Sequence, residues 1–272
     1  MKLVSICPSN TELVHYLGLT HFLIGIDDYS DWPASIRHLP RLGPDLSIDM
    51  DLLEKLKPDL VLASLSVPGM EKNIEQLVKR NIPHIILNPQ SLQEIGEDLL
   101  TLGKAVGYEE HAEKTLTTYK AVLSKFHLAS KEIKNKPTLY WEWWPKPIFT
   151  PGSINWLTEV SELAGGRNVF KDVDLASVQT DWIDVYNRNP EHICLAWVGV
   201  QKEKIKPQIL KKRPNWLKLD AIIQNRVHIL EEALYCRPSP RLLEGIWTLG
   251  NILHPEAYED IQLPKLFQTR QK

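Results

Sequence analysis

The chain has 272 residues, of which 43% are hydrophobic and 24% are charged, and its formal net charge is −2 at pH 7. These values are ordinary for a globular protein, and they provide no overall basic charge for binding nucleic acid or an anionic membrane. No apolar run approaches the roughly 20 residues that a membrane-spanning helix needs, so we expect no membrane span.

The first hundred residues alternate short apolar runs with amphipathic segments. Residues 3–6 are predicted to form a strand, and Ser9 or Asn10 is placed to cap a helix that continues to Gly18. Further strands are predicted at residues 23–26, 59–63 and 82–87, and helices at 49–56, 70–79 and 92–106. This alternation favours right-handed βαβ units and a parallel sheet.

The pattern changes between residues 109 and 134, which include no glycine, no proline and no strand-like run. Ala112, Leu116, Tyr119 and Phe126 recur at helical spacing. A helix of about 25 residues extends roughly 38 Å at 1.5 Å per residue. Because that is too long for a crossover inside one compact lobe, we expect a single helix that joins two lobes.

After Pro137 the alternation of strands and helices resumes. Strands are predicted at residues 138–143, 192–197 and 227–230, helices at 154–164, 182–187 and 240–253, and short helical pieces at 205–211 and 216–219. The predicted fold is α/β, with two Rossmann-like lobes around parallel sheets, one long rigid helix and a ligand cleft between the lobes. The predicted domains are residues 1–106, the connecting helix at 107–135, and residues 136–272.

The segment LYWEWWPKP at 139–147 contains three of the nine tryptophans of the chain. In a strand, Trp141 and Trp143 lie on one face, and Glu142 and Trp144 lie on the other. One interpretation is a strand that is buried on both faces. The other is an aromatic wall for a flat ligand, at a strand end that the following prolines mark.

The loops after the strands are the expected place for a site, because open parallel sheets bind ligands at the carboxyl ends of their strands. Arg237 lies in one of these loops beside aromatic residues. Its guanidinium can pair with a carboxylate, a phosphate or an amide oxygen of a ligand, and a loop-stabilising role is the alternative. The aromatic residues of these loops are Tyr29, Trp32, Trp143, Trp144, Phe149, Trp156 and Tyr235.

Known catalytic and metal-binding patterns are missing from the sequence. It has no G-x-G-x-x-G, phosphate-loop, H-E-x-x-H or G-x-S-x-G pattern. Its nine histidines form no H-x-H or i,i+4 pair, and its three cysteines form no C-x-x-C pair. We therefore expect no catalytic residue, no metal site and no intrinsic cofactor.

The beginning of the chain bears on its compartment. Met1 and Lys2 lead directly into the first predicted strand, and neither a signal peptide nor a lipobox fits before Cys7. For the sequence as given we expect a cytoplasmic protein. The alternative is a trimmed mature segment of an extracytoplasmic or membrane-anchored protein.

Six short motifs follow one another along nearly the whole chain. They are SICPSNTE at 5–12, GIDDYSDWP at 25–33, LPRLG at 39–43, LEKLKPDLVL at 53–62, LAGGRNVF at 163–170 and NPEHI at 189–193. Together they resemble the substrate-binding proteins of ABC transporters of the iron-siderophore and cobalamin class, and within that class the cobalamin-binding proteins. The resemblance implies two α/β lobes joined by one rigid helix, with a metal chelate bound in the cleft.

The same resemblance implies residues for the ligand site. Cobalamin-binding members use aromatic residues and an arginine near the last strand, and here Arg237 falls on that arginine. Phe149 falls on a second-lobe aromatic residue, and Tyr29 or Trp32 falls on a first-lobe aromatic loop. The expected ligand-binding residues are therefore Tyr29, Trp32, Trp143, Trp144, Phe149, Tyr235 and Arg237.

The sequence departs from the family pattern at two places in the ligand site. Ala233 replaces an acidic residue that accompanies the arginine, although Glu231 and Glu232 are close by. A first-lobe tryptophan that follows the strand at residues 60–63 in the family is also missing.

The resemblance further implies docking on a permease dimer through one surface glutamate on each lobe. The first-lobe glutamate aligns with Glu71, whereas the second falls at Ile183, between Asp181 and Asp184. The expected docking residues are thus Glu71, Asp181 and Asp184. One docking charge is kept and the other is displaced or lost.

These observations predict a monomeric, non-enzymatic solute-binding protein for a metal chelate, either a corrinoid such as cobalamin or an iron-siderophore or haem. Its expected partners are the chelate and an ABC importer, with neither nucleic acid nor a membrane span. One alternative is a cytoplasmic corrinoid- or chelate-binding protein that is not coupled to a permease. Two others are an enzyme that uses the same inter-lobe cleft, and a scaffold that binds a protein partner through its tryptophans.

Overall fold

The computed structural model describes residues 1–268, and the chain divides into two compact units. We call them the first lobe and the second lobe. The first lobe contains Met1–Pro89, Gln93–Tyr119 and Pro238–Pro240, and the second contains Gln90–Leu92, Lys120–Arg237 and residues 241–268.

A four-stranded parallel sheet lies at the centre of the first lobe. Its strands are β1 (Leu3–Ser5), β2 (Leu23–Ile26), β3 (Leu60–Ser64) and β4 (His84–Leu87), in the order β2-β1-β3-β4. The helices between them are α1 (Pro8–Tyr16), α2 (Met50–Leu56) and α3 (Glu71–Lys79), and α4 (Leu92–Ala105) follows β4. The central strands β1 and β3 are buried along almost their whole length, as expected for a parallel sheet covered on both faces.

The start of α1 corrects one prediction. The helix begins at Pro8, which needs no hydrogen-bond partner for a backbone N–H in the first turn. Cys7 holds the capping position without a side-chain hydrogen bond, so neither Ser9 nor Asn10 caps the helix. The Asn10 side chain instead donates to the carbonyl of Ala63 at 2.9 Å, which ties α1 to β3.

Helix α5 (Glu109–Glu132) is unbroken over 24 residues, close to the prediction of 109–134. Its residues up to Tyr119 belong to the first lobe and those from Lys120 to the second. In the first lobe it approaches α4 so closely that a Cβ at Gly103 would lie 2.4 Å from that of Ala112. In the second lobe Phe126 stacks on Tyr258, with ring centroids 6.2 Å apart.

The second lobe contains a second parallel sheet and a small antiparallel sheet. Its strands are β5 (Thr138–Glu142), β6 (Trp144–Pro145), β7 (Ile148–Pro151), β8 (Arg167–Asn168), β9 (Ser177–Thr180), β10 (His192–Leu195) and β11 (Val227–Ile229). The parallel sheet has the order β11-β10-β5-β8, and the antiparallel sheet has the order β6-β7-β9. Its helices are α6 (Trp156–Leu163), α7 (Trp182–Arg188), α8 (Asp220–Ile223), α9 (Leu242–Leu253) and α10 (Pro255–Tyr258).

The antiparallel sheet is a difference from the prediction, which placed no strand between the strand at residues 138–143 and the helix at 154–164. Strand β6 has only two residues and contains Pro145, so it carries no alternating pattern that could be recognised. It forms because Trp144 and Pro145 pair with Phe149 and Ile148. The segment after β5 is therefore a structured ribbon.

The fold class predicted from the sequence is confirmed, since each of the two α/β lobes is built on a parallel sheet. The hydrophobic core of the first lobe includes Val4, Leu53 and Val61, and that of the second includes Tyr140 and Ile193. Within residues 1–268, no helix has the length and apolar character needed to cross a membrane.

Candidate functional site

Trp141 of β5 and Trp143, just beyond the end of the strand, follow the predicted alternation. Trp141 is fully buried, and its Nε1 donates to Ser161 Oγ of α6 at 2.8 Å. Trp143, two residues later, is half-buried and stacks on Trp156 at the start of α6, with centroids 6.1 Å apart and an interplanar angle of 25°. Trp143 and Trp156 therefore form an aromatic pair just beyond the carboxyl end of β5.

The loop that carries Arg237 is fixed to this aromatic pair. Trp156 Nε1 donates to the carbonyl of Tyr235 at 2.8 Å, and Cys236 Sγ donates to the carbonyl of Ala196 at 3.2 Å. The structure thus brings together residues that are about 80 positions apart in the chain. Trp156 belongs to the cluster, although the sequence suggested it only as one of several loop aromatics.

Arg237 forms an ion pair with Glu232. The Arg237 Nη2 and Nε atoms lie 3.0 and 3.2 Å from Glu232 Oε2, and only 10% and 14% of the two side chains are exposed. Glu232 thus supplies an acidic partner for Arg237. It precedes Ala233, the position at which the resemblance implied an acidic residue. A charged partner fixes the orientation of the guanidinium in a way that a neutral contact does not.

Tyr235 lies in the packed interior of the second lobe. It is fully buried, its hydroxyl donates to the carbonyl of Gly245 at 3.0 Å, and its ring centroid lies 5.2 Å from that of Trp141. These contacts give Tyr235 a structural role, because they hold the loop against the interior of the second lobe. A contact between Tyr235 and a ligand stays a prediction.

Trp144 and Phe149 lie on the antiparallel ribbon next to Trp143. They are opposite each other in the β6–β7 pair, and the Trp143 N–H donates to the Phe149 carbonyl at 2.9 Å. Trp144 is 40% exposed, and its Nε1 donates to the carbonyl of Lys146 at 3.1 Å. The ribbon therefore carries two further aromatic side chains, an exposed Trp144 and a half-buried Phe149.

In the first lobe, Tyr29 and Trp32 follow β2. The Asp27 carboxylate accepts hydrogen bonds from the backbone N–H groups of Tyr29 at 2.8 Å and Ser30 at 3.1 Å, so this turn has a defined shape. Tyr29 is 47% exposed, whereas Trp32 packs edge-on against His15 of α1. Of these two rings, Tyr29 is therefore the more accessible to a ligand.

A buried ionic cluster supports the end of β5. Glu142 is fully buried, and its carboxylate accepts two hydrogen bonds from Arg213, at 2.6 and 2.9 Å. Tyr140 Oη and Trp197 Nε1 donate to the same carboxylate at 2.8 and 3.1 Å. Burial and the adjacent Glu142 carboxylate raise the pKa of Tyr140 well above its ordinary value. Because four donors already surround it, this carboxylate is poorly suited to act as a general base.

The expected docking residue of the first lobe, Glu71, is exposed at the start of α3. Its Oε2 accepts a hydrogen bond from the backbone N–H of Gly69 at 2.8 Å. The backbone N–H groups of Glu71 itself and of Gly69 lower the pKa of the carboxyl group. The Glu71 side chain is thus ionised at neutral pH.

The two expected docking aspartates of the second lobe have local structural contacts. Asp181 caps α7 by accepting the backbone N–H groups of Ile183 at 2.8 Å and Asp184 at 2.9 Å. Asp184 accepts the Thr180 hydroxyl at 2.7 Å and Arg188 Nε at 3.1 Å. Between the aspartates, the Ile183 side chain is 63% exposed, so an apolar group is presented at the position where the resemblance implied a docking glutamate.

Comparison with known proteins identifies the family. Residues 3–234 match the periplasmic binding protein family. The chain belongs to this family. It is similar to an uncharacterised ABC transporter substrate-binding lipoprotein of Bacillus subtilis strain 168, YvrC, with 27% identity over 95% of this chain and 82% of that protein. It is also similar to the vitamin B12-binding protein of Yersinia pestis strain Pestoides F, with 26% identity over 89% of this chain and 82% of that protein.

A solved structure shows the same fold. The crystal structure of IsdE of S. aureus, complexed with heme, matches with a TM-score of 0.81 over 93% of this chain and 98% of that chain, at 19% identity. The resemblance to ABC-transporter substrate-binding proteins that the motifs indicated is therefore confirmed. The members of this family are binding proteins rather than enzymes.

Proposed function

We propose that this chain is a non-enzymatic solute-binding protein that binds a metal chelate, in the first place a corrinoid, and delivers it to an ABC importer. The observation that carries the proposal is the stacked pair Trp143–Trp156, hydrogen-bonded to the loop of Arg237. Membership of the family and the similarity to a vitamin B12-binding protein support the class of ligand.

The arrangement suits a large ligand with an apolar or conjugated face. Aromatic rings offer a broad contact surface and lose little conformational entropy on binding. Trp143 and Trp156 are already stacked, and hydrogen bonds hold the adjacent loop, so little further ordering is needed when a ligand binds.

The ion pair between Arg237 and Glu232 favours a ligand with uncharged oxygen acceptors. Glu232 offsets the guanidinium charge and repels a second carboxylate placed beside it. A corrinoid presents amide oxygens around its ring, whereas haem presents carboxylates. We therefore propose a corrinoid ahead of haem and of ferric siderophores.

A ligand panel tests this proposal. Thermal unfolding is measured with cyanocobalamin, dicyanocobinamide, haemin and ferrioxamine B. A ligand present at 100 times its Kd adds about 2.7 kcal/mol to the free energy of unfolding, and we expect the corrinoids to raise Tm by roughly 5 °C or more. If none of the four shifts Tm, or if the protein chemically converts the chelate, the proposal fails.

Variants locate the ligand. In calorimetric titrations with the best corrinoid, we expect Trp143→Ala and Arg237→Ala each to raise Kd at least tenfold, because each removes a principal contact. Trp143→Phe keeps an aromatic face and is expected to cost less than Trp143→Ala. Arg37→Ala, at an exposed first-lobe arginine, serves as the control. Unchanged affinity in both alanine variants would place the ligand elsewhere.

The second candidate is a chelate-binding protein that does not serve a permease. It is favoured by the exposed Ile183 and by the local contacts of Asp181 and Asp184. Uptake of radiolabelled cyanocobalamin by cells with and without the chain separates the two candidates. Lower uptake without the chain supports delivery to an importer. Equal uptake, with binding retained by the purified protein, supports the second candidate.

A further inference from the structure

A cavity of about 590 Å³ lies in the second lobe, away from the aromatic pair. It is bordered by the second half of α5, by α6 and by the residues that precede β5 and begin β8. Lys136 comes just before β5 and Arg167 begins β8, so the cavity lies at the amino ends of these strands. Trp143, in contrast, follows the carboxyl end of β5. We call this cavity the basic pocket.

The basic pocket carries a local positive charge in a chain whose formal net charge is −2. Four cations line it, Lys131, Lys136, Arg167 and Lys171, against two acidic residues, Glu159 and Glu162, which gives four minus two, or +2. Within residues 1–268, none of the four cations forms an ion pair within 4.0 Å. The local excess is therefore available to an anion that enters the cavity.

Two of the cations are held in place and keep N–H donors for a ligand. The Lys136 ammonium donates to Ser130 Oγ at 2.7 Å, and Ser130 Oγ in turn donates to the carbonyl of Glu162. Arg167 Nε donates to the carbonyl of Lys136 at 3.2 Å, while its two Nη groups form no hydrogen bond within the described part of the chain. A guanidinium held through Nε presents its other donors in a geometry that matches phosphate oxygens.

The other walls of the basic pocket are apolar, and leucine side chains from three different segments provide them. Leu92 begins α4, Leu123 lies on α5 and Leu163 ends α6. A bare inorganic ion would leave these walls uncovered, whereas a ligand with an apolar body and an anionic group would contact both kinds of surface. The volume falls within the range of about 300–1,000 Å³ that is usual for small-molecule sites.

From these contacts we infer that the basic pocket is a second ligand site, which binds an organic phosphate: a phosphate monoester or diester on an apolar or aromatic body. The phosphate lies against Arg167 and Lys136, and the body lies against the leucines. The shared chemistry covers two sources, a soluble phosphate ester such as a nucleotide and the headgroup of an anionic phospholipid. The site is independent of the chelate site proposed above, because none of its residues belongs to the aromatic pair or to the loop of Arg237.

Calorimetry with adenosine monophosphate, inorganic phosphate and adenosine tests the soluble source. We expect adenosine monophosphate to bind more tightly than inorganic phosphate, and adenosine not to bind, because the cations provide most of the attraction. Binding should weaken severalfold between 50 and 300 mM salt.

Co-sedimentation with vesicles of phosphatidylcholine, with or without one quarter phosphatidylglycerol, tests the lipid source. Binding only to the anionic vesicles assigns the site to a lipid headgroup.

Variants connect any such binding to the basic pocket. We expect Arg167→Ala and Lys171→Glu each to weaken it at least tenfold. Lys171 is exposed, so we expect Lys171→Glu to leave the fold intact. This variant therefore tests the pocket even if Arg167→Ala does not fold. Lys218→Ala, at an exposed lysine elsewhere in the second lobe, is the matched control. Cyanocobalamin affinity is measured in parallel and should not change, which separates this inference from the proposed function. If neither soluble phosphates nor anionic vesicles bind, or if both pocket variants bind like wild type, the inference is wrong.

Discussion

The rings of His192 and His228 stack in the second lobe with centroids 5.2 Å apart, and His192 Nδ1 lies 2.9 Å from His228 Nε2. A hydrogen bond between two imidazoles requires one neutral ring as the acceptor. Burial, followed by the nearby His228 and Arg226, lowers the pKa of His192 to about 4. Burial also lowers the pKa of His228. The folded protein therefore disfavours protonation of this pair.

We predict that this pair makes the protein less stable in mild acid. Because the folded-state pKa lies below the ordinary 6.5, the unfolded chain binds more protons between about pH 4 and 6.5. The contribution to stability is complete above pH 6.5 and is lost as the pH falls towards 4. Allowing for partial exposure, we expect the contribution of the pair to fall by about 1 kcal/mol between pH 7 and 5, measured by urea unfolding as the difference between wild type and His192→Gln.

The control for the histidine prediction uses two substitutions. His192→Gln removes the group that titrates, so its free energy of unfolding should change less between pH 7 and 5 than that of wild type. His38→Gln changes an exposed histidine of the first lobe and should keep the wild-type dependence. A His192→Gln protein with the full wild-type pH dependence would show that the acid sensitivity arises elsewhere.

At the scale of elements, the ionic cluster of Glu142 joins the end of β5 to the segment that contains Arg213. Both side chains are almost completely buried, at 0% and 2% exposure. Removing one member of such a pair leaves the other charge buried without a partner, which costs about 3–5 kcal/mol. We therefore expect Arg213→Ala and Glu142→Ala each to lower the free energy of unfolding by about that amount, measured by urea unfolding.

Arg80 forms ion pairs at the protein surface, which serve as the comparison for the buried pair of Glu142 and Arg213. It pairs with Asp51 and Glu54, whose side chains are 76% and 57% exposed. Water solvates both partners when such a bridge is broken, so Arg80→Ala should cost less than about 1 kcal/mol. Equal losses for Arg80→Ala and Arg213→Ala would contradict the view that burial gives the Glu142 pair its importance.

The sequence revealed the elements better than the site, for a physical reason. Helix α5 and the strands of both parallel sheets, apart from β8, have a strong local hydrophobic pattern, so they could be predicted from the residues alone. Strand β8 has only two residues, both polar, and was not predicted. Glu142 and Arg213 are 71 positions apart, and no local pattern indicates that they pair. Glu232 was visible beside Ala233, but only the conformation of the loop shows which glutamate reaches Arg237.

The candidate ligand residues show the same contrast between what a local pattern predicts and what distant packing decides. Alternation along β5 correctly placed Trp141 and Trp143 on one face, because side-chain direction in a strand is a local property. Tyr235 follows the last strand like Arg237, yet it turns into the core beneath Trp141. Position after a strand indicates where a site can form, whereas the direction of each loop side chain depends on distant packing.

At the scale of the whole molecule, α5 is the element that both lobes share. Its first half packs on α4 through Ala112 and Tyr119, and its second half packs through Phe126 against Tyr258 of α10. Ser130, near its end, donates to the carbonyl of Glu162 in α6. Each lobe therefore depends on one half of the same hydrogen-bonded helix.

We predict that breaking α5 at its middle weakens both lobes. Lys120 is exposed at the point where the helix passes from one lobe to the other, so Lys120→Pro changes no core contact. The proline removes one helical hydrogen bond and crowds the preceding turn, at a cost of about 3 kcal/mol. Hydrogen exchange followed by mass spectrometry should show faster exchange in α4 and in α10, as well as in α5. Lys120→Ala, which keeps the helix intact, should exchange like wild type. Faster exchange confined to one lobe would mean that the two halves of α5 are stabilised independently.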